Sequence, residues 1–247
     1  MGQLLLAREP VLDVAHWAPE RQDGRTETTQ KKGEGVVVSG FMVVAVVGLA
    51  RSGTSCVAGI LHHLGVCMGH RLRPADECNP RGYFEDHDNL RWSLNQRLSS
   101  PTCVKLFRRY GIRRYRQYGE TIMGIKVGRL CVQVHELAEA FPRLKLIVTE
   151  RCMEEVVVSQ IRSKMWPHLT RKHLHARAIK YRRERDAAIE SFHVDALRVR
   201  YDETLFDPAS TIRRIVEFIE ITPSPDAIET ARNFVAPELR HFVGNAS

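Results

Sequence analysis

Residues 48–55 read Gly48-Leu49-Ala50-Arg51-Ser52-Gly53-Thr54-Ser55. Two glycines, three hydroxyls and one cation make a loop whose backbone can approach an anion closely. The nucleotide-hydrolysing form of such a loop places a lysine directly after its second glycine, where it reaches the β- and γ-phosphates. Here that position is Thr54, and the cation stands inside the loop as Arg51. The pattern points away from ordinary ATP or GTP hydrolysis and toward another phosphate-bearing ligand. A tight strand-to-helix turn of an α/β domain is the structural alternative, and a glycine loop alone does not exclude it.

Two further groups could do chemistry. Arg151 and Ser159 stand eight residues apart, the first after an apolar run at 144–149 and the second inside a helical pattern at 154–162. A strand followed by a helix would let both point at one anion, in the crevice where open α/β sheets bind ligands. A guanidinium fork gives a charge-assisted clamp and a hydroxyl adds a donor. The alternative is a surface arginine and a helix-interior serine. Residues 79–88 form a turn-rich loop that carries Glu85, Asp86, His87 and Asp88. These acids could also cap a helix starting near Asn89.

The loop 48–55 resembles the 5′-phosphosulfate loop of the sulfotransferase family, whose members use 3′-phosphoadenosine 5′-phosphosulfate (PAPS). Many of those loops have Lys where this chain has Arg51. The resemblance spans residues 42–221 in four blocks in the family's order, closer to the bacterial and tyrosyl types than to the cytosolic type. It implies that Arg51, Ser52, Gly53, Thr54 and Ser55 hold the phosphosulfate, and that Arg151 and Ser159 hold the 3′-phosphate. Tyr201 matches the tyrosine that approaches the adenine, within a stretch of strand, Tyr201-Asp202, Asp207-Pro208 and helix. An acid in the 79–88 loop serves as catalytic base in related members, and Glu85 is the candidate. Lys126 matches the lysine of the cytosolic members' Lys-Thr-His element, and with Arg51 it is the candidate for stabilising charge on the moving sulfonate and the leaving phosphate. The cytosolic members' catalytic histidine falls on Gly128, which cannot act as a base. Lys126-Val127-Gly128-Arg129 keeps only the first and last residues of the bacterial Lys-Asp-Pro-Arg. The implied activity is in-line sulfuryl transfer to a hydroxyl or amine, without a metal. Rival readings are a P-loop kinase, which Thr54 speaks against, and a catalytically inactive nucleotide-binding protein.

These residues need a framework. Residues 43–48 are small and β-branched, as in a buried parallel strand. An apolar helical pattern follows through Leu64, and Gly65 stops it. Strands are expected at 65–69, 121–126, 144–149 and 196–201, and helices at 130–141, 154–162 and 209–220. The expected fold is a single α/β domain with a central parallel sheet and helices on both faces, like a P-loop NTPase. Its boundaries are 42–247. Residues 1–41 form a polar, flexible N-terminal extension without a convincing signal peptide or myristoylation signal, and a product starting at Met42 is expected to be complete.

The 247 residues suit one such domain, and no apolar run spans a bilayer. The six cysteines lack metal-site spacing and read as reduced thiols of a cytoplasmic protein. A net charge of +8 suits an anionic ligand, but also nucleic acid. Residues 105–118 interleave six basic residues with four aromatics. A basic helical hairpin over the site is preferred there to a single-stranded nucleic-acid surface. Residues 162–185 read as a basic helix with an apolar stripe at Ala176, Ile179 and Ala187, and the tail as one short helix followed by a lid at Arg240 and His241.

Overall fold

The computed structural model describes residues 40–87 and 98–239. The expected extension up to residue 39, Asp88, the helix start near Asn89, and the Arg240–His241 lid lie outside the described residues.

The chain alternates strands and helices. It runs β1 (Met42–Gly48), α1 (Thr54–His63), α2 (Ser100–Tyr118), β2 (Ile122–Lys126), a 3₁₀ turn (Leu130–Val132), α3 (Val134–Ala140) and β3 (Leu144–Glu150). It continues through α4 (Met153–Arg162), α5 (Arg171–Ser191), β4 (Asp195–Arg200), α6 (Tyr201–Phe206), α7 (Pro208–Ile219) and α8 (Pro225–Phe234). All strand pairs are parallel and the order is β2-β1-β3-β4. The connection out of β1 leads to one side and the return from β2 leads to the other. The carboxyl ends of β1 and β3 therefore flank the switch point, where an open α/β sheet leaves a crevice.

Side chains alternate across a strand, so a sheet buried on both sides needs near-continuous apolar strands. Val44 and Val46 of β1 enter one core layer with Val57, Ile60 and Leu61 of α1 and Ile212 and Ile215 of α7. Val43, Ala45 and Val47 enter the other, with Phe107 of α2, Leu137 of α3 and Leu146 of β3. Phe41 belongs to this second layer and packs against Phe141 and Tyr115. A chain beginning at Met42 would lack that ring.

Three elements differ from the sequence expectation. Residues 105–118 are part of one continuous helix, not a hairpin, because Gly111 in their middle is packed against Phe41 and Phe141 rather than serving as a turn. Residues 65–69 make only an isolated parallel bridge, Cys67 to Met123, on the edge of β2. The helix expected at 130–141 breaks at Gln133 (φ −122°) into a 3₁₀ turn and α3. In α5 the buried positions are Leu174, Ala178 and Arg185, while Ala176 and Ala187 are exposed. An arginine in the stripe hid the helix's inward face. No helix among the described residues is long and apolar enough to cross a membrane.

Candidate active site

The loop after β1 makes two abrupt turns. Arg51 adopts φ 74° and Gly53 φ 95°, both left-handed. Glycine takes that conformation freely, whereas for arginine it costs about 1–2 kcal/mol. Gly53 is further required because a Cβ there would stand 2.3 Å from the Tyr201 ring. Gly48 is required by a close approach, since a Cβ there would meet Thr149 Oγ1 at 2.0 Å. In the space it leaves, the buried hydroxyls of Ser52 and Thr149 hydrogen-bond at 2.7 Å, joining the ends of β1 and β3. Gly53 caps α1, and the first N–H groups of that helix have no intrahelical acceptor.

Arg51 is held at three points. Its Nε donates to Ser159 Oγ at 3.0 Å, its Nη1 to the Cys78 carbonyl at 3.4 Å, and its own carbonyl accepts from Arg151 Nη1 at 3.2 Å. Arg151 Nε donates to Glu155 at 2.8 Å, and its guanidinium lies 5.1 Å from the Tyr201 ring centre. Arg151 Nη2 is buried and has no hydrogen-bond partner. Ser159 is fully buried on α4. The strand-end arginine and the helix serine thus meet through Arg51, at the switch point. Gln160 Nε2 donates to the Ala50 carbonyl at 2.9 Å and ties the same helix to the loop. Arg182 and Arg185 of α5 border a narrow cleft with Leu49, Ser52, Thr149 and Arg151.

A second cluster lies beside the first. Glu85 and Lys126 are about 5% and 4% exposed and form an ion pair at 2.7 Å. Lys126 Nζ also donates to Ser55 Oγ at 3.1 Å, so it connects the acid loop to the glycine loop. Glu85 is set inward by a short antiparallel pairing, in which Arg73 N donates to the Glu85 carbonyl and Leu72 bridges Asp86. Asp86 faces the other way and accepts from Tyr110 at 2.7 Å. Arg73 approaches Glu85 at 3.9 Å and covers the Tyr83 ring at 3.7 Å. The Tyr83 hydroxyl donates to Asp76, and its pKa is pushed up to about 12 by burial and by that carboxylate. It stays protonated.

The model of the sulfotransferase family matches residues 44–225. The chain belongs to that family. Three solved structures share the fold, each with a TM-score of 0.54. Sulfotransferase STF9 of Mycobacterium avium is 17% identical, with 80% of this chain and 68% of that one covered. STF1 of Mycobacterium tuberculosis H37Rv is 15% identical, with 79% and 72% covered. The sulfotransferase domain of the Synechococcus PCC 7002 olefin synthase is 17% identical, with 83% and 89% covered. A search of the curated proteins finds no match.

Within this sulfotransferase fold, the residues singled out in the sequence fall into two linked groups. Arg51, Arg151 and Ser159 are joined by hydrogen bonds, with Tyr201 against Gly53. Glu85, Lys126 and Ser55 form the other group, and Ser52 locks the loop to β3. Thr54 opens α1 and is buried. Tyr201 begins α6 rather than ending the last strand. Glu85 and Asp86 are both buried, Glu85 paired with Lys126 and Asp86 accepting from Tyr110. Gly128 faces open space: a Cβ there would meet nothing within 4 Å. Arg73, Tyr83 and Gln160 were not singled out, because their roles arise from loop pairing and helix packing that no local pattern encodes.

Removing one partner of a buried ion pair leaves the other charge uncompensated. Lys126→Met should therefore destabilise the fold by about 3–5 kcal/mol, and adding Glu85→Gln should recover part of that loss. Urea unfolding of the single and double variants measures both. A single variant as stable as wild type would show that the pair is solvated rather than buried.

Proposed function

We propose that the chain transfers a sulfuryl group from PAPS to a hydroxyl or amine acceptor. The observation that carries this reading is the buried, unbonded Nη2 of Arg151, joined to Arg51 and Ser159 at the switch point. A buried donor without a partner costs on the order of 1–3 kcal/mol. An anion placed there removes that cost. Ser159 accepts from Arg51, which leaves its own O–H free to donate to the same anion. A 3′-phosphate fits this set, and it is the group that separates PAPS from ATP.

Bound PAPS supplies the sulfuryl group and a phosphate leaving group. In this reading Arg51, Ser52, Gly53, Thr54 and Ser55 hold the 5′-phosphosulfate through hydroxyls and the free N–H groups of the α1 start. Tyr201 flanks the adenine. Arg51 and Lys126 offset negative charge on the moving sulfonate and the leaving phosphate, in a site already shaped for it. Glu85 takes the acceptor proton as the new bond to sulfur forms. Lys126, bonded to both Glu85 and Ser55, aligns base with donor. A cytoplasmic, reducing compartment suits the six free thiols.

Calorimetry tests the donor. Wild type should bind 3′,5′-ADP, the product nucleotide, about tenfold or more tighter than 5′-ADP, a difference near 1.4 kcal/mol. Arg151→Ala should erase that preference, and equal wild-type affinities would overturn the 3′-phosphate assignment. Glu85→Gln should keep the affinity for 3′,5′-ADP and lose about 10²–10⁴ in turnover of an acceptor found by screening. Unchanged turnover would remove Glu85 from the role of base.

A further inference from the structure

On the edge of the sheet beyond β2, three side chains of different chemistry converge without a part in the proposed reaction. Cys67 Sγ, the His70 ring and the Glu120 carboxylate bring their ligating atoms within 4.8 Å of one another. Fifty residues separate His70 from Glu120 in the chain, yet His70 Nε2 and Glu120 Oε1 stand 2.5 Å apart.

Each of the three is held in place from behind. Cys67 is fixed by its parallel bridge to Met123, and its carbonyl accepts from Gly124 N at 2.8 Å and from Arg114 Nη2 at 2.7 Å. The His70 ring stacks on Tyr118 with ring centres 3.6 Å apart. Glu120 Oε2 is taken by the buried Arg114, through Nε at 2.7 Å and Nη2 at 2.6 Å. That leaves Oε1 turned toward the imidazole and the thiol. Second partners that orient a ligating carboxylate or imidazole are a regular feature of metal centres.

A plain ion pair between His70 and Glu120 would contribute little at a site where the ring is 38% exposed. The Cys67 thiol stands at the same point and donates to the Gly69 carbonyl at 3.8 Å, a weak bond that a metal would replace. One sulfur, one imidazole and one carboxylate make a three-ligand set that suits zinc, with a water in the fourth position on the solvent side of His70. Arg114 opposes a nearby dication. Its charge is already met by Glu120, and the thiolate formed on binding adds the further negative charge that a dication needs.

We propose that Cys67, His70 and Glu120 form a binding site for zinc or a similar divalent transition metal, which clips the turn after α1 to the junction of α2 and β2. On binding, the S–H bond of Cys67 is replaced by a sulfur–metal bond and the proton passes to solvent. The clip backs onto the acid loop. Asp86, next to Glu85, packs against Gly69 so closely that a Cβ on that glycine would stand 2.4 Å from its carboxylate. Asp86 is in turn bonded through Tyr110 to Arg114. A metal here therefore braces the base of the loop that carries Glu85.

Cobalt(II) titration of the metal-free full chain tests the site, because a thiolate ligand gives a near-ultraviolet charge-transfer band. An equimolar amount should bind with that band, and zinc should displace it. Cys67→Ser should abolish the band, and the exposed His70→Gln, which removes a direct ligand, should weaken binding by at least the roughly 10–100-fold that loss of a supporting partner costs. Zinc should also raise the thermal unfolding midpoint of wild type but not of Cys67→Ser. No band in wild type would overturn the site and leave a His70–Glu120 ion pair only. A band that survives Cys67→Ser would assign the metal to another thiol, such as the exposed Cys78 or Cys152. If Cys67→Ser does not fold, the His70→Gln affinity alone decides, and an unchanged value rejects the site.

Discussion

The hydrogen bond between Ser52 and Thr149 is the joint on which the rest of the site depends. It is buried, it crosses from the end of β1 to the end of β3, and it exists only because Gly48 carries no side chain. Parallel pairing alone would align the two strands but leave their following loops free. With the joint closed, the loop after β1 and the arginine after β3 open onto one crevice. Arg51 can then reach Ser159, and Arg151 can reach the Arg51 carbonyl. The strained backbone of Arg51 is consistent with this: tertiary hydrogen bonds hold a conformation that local preference disfavours.

Charge is distributed by the same logic. The cations named around the crevice are each restrained by a nearby group. Arg151 is braced by Glu155, while Glu150 gathers Arg198, Arg182 and Arg185 within 2.6–3.7 Å. Lys126 is divided between Glu85 and Ser55. In the proposed reading, such an arrangement would receive an anion without first reorganising, which is the condition for electrostatic stabilisation of developing charge. The Asp86–Tyr110–Arg114–Glu120 network plays the supporting part. It buries a full guanidinium next to β2 and thereby fixes the strand that presents Lys126.

Much of this was legible in the sequence. Strands buried on both faces must be almost wholly apolar, so residues 43–48 and 144–149 announced themselves, and the glycine loop and the Arg151–Ser159 spacing followed directly from them. Glu85 was singled out through family resemblance and the acid-rich loop, and it stands buried beside Lys126, while its role as base is a proposal. What escaped were features set by tertiary packing. The inward face of α5 was misread because Arg185 occupies a buried position. The hairpin expected over residues 105–118 is one helix, because Gly111 in its middle packs against Phe41 and Phe141, and a packing glycine and a hinge glycine look alike in one dimension. Cys67-Met68-Gly69-His70 gave no metal signal because its third partner, Glu120, arrives from the far end of α2.

The most direct test of the central claim is a crystal structure of the protein with 3′,5′-ADP. The 3′-phosphate should lie within hydrogen-bonding distance of Arg151 Nη2 and Ser159 Oγ, with the 5′-phosphate over the first turn of α1. A nucleotide bound elsewhere, or a 3′-phosphate that leaves Arg151 Nη2 unbonded, would contradict it.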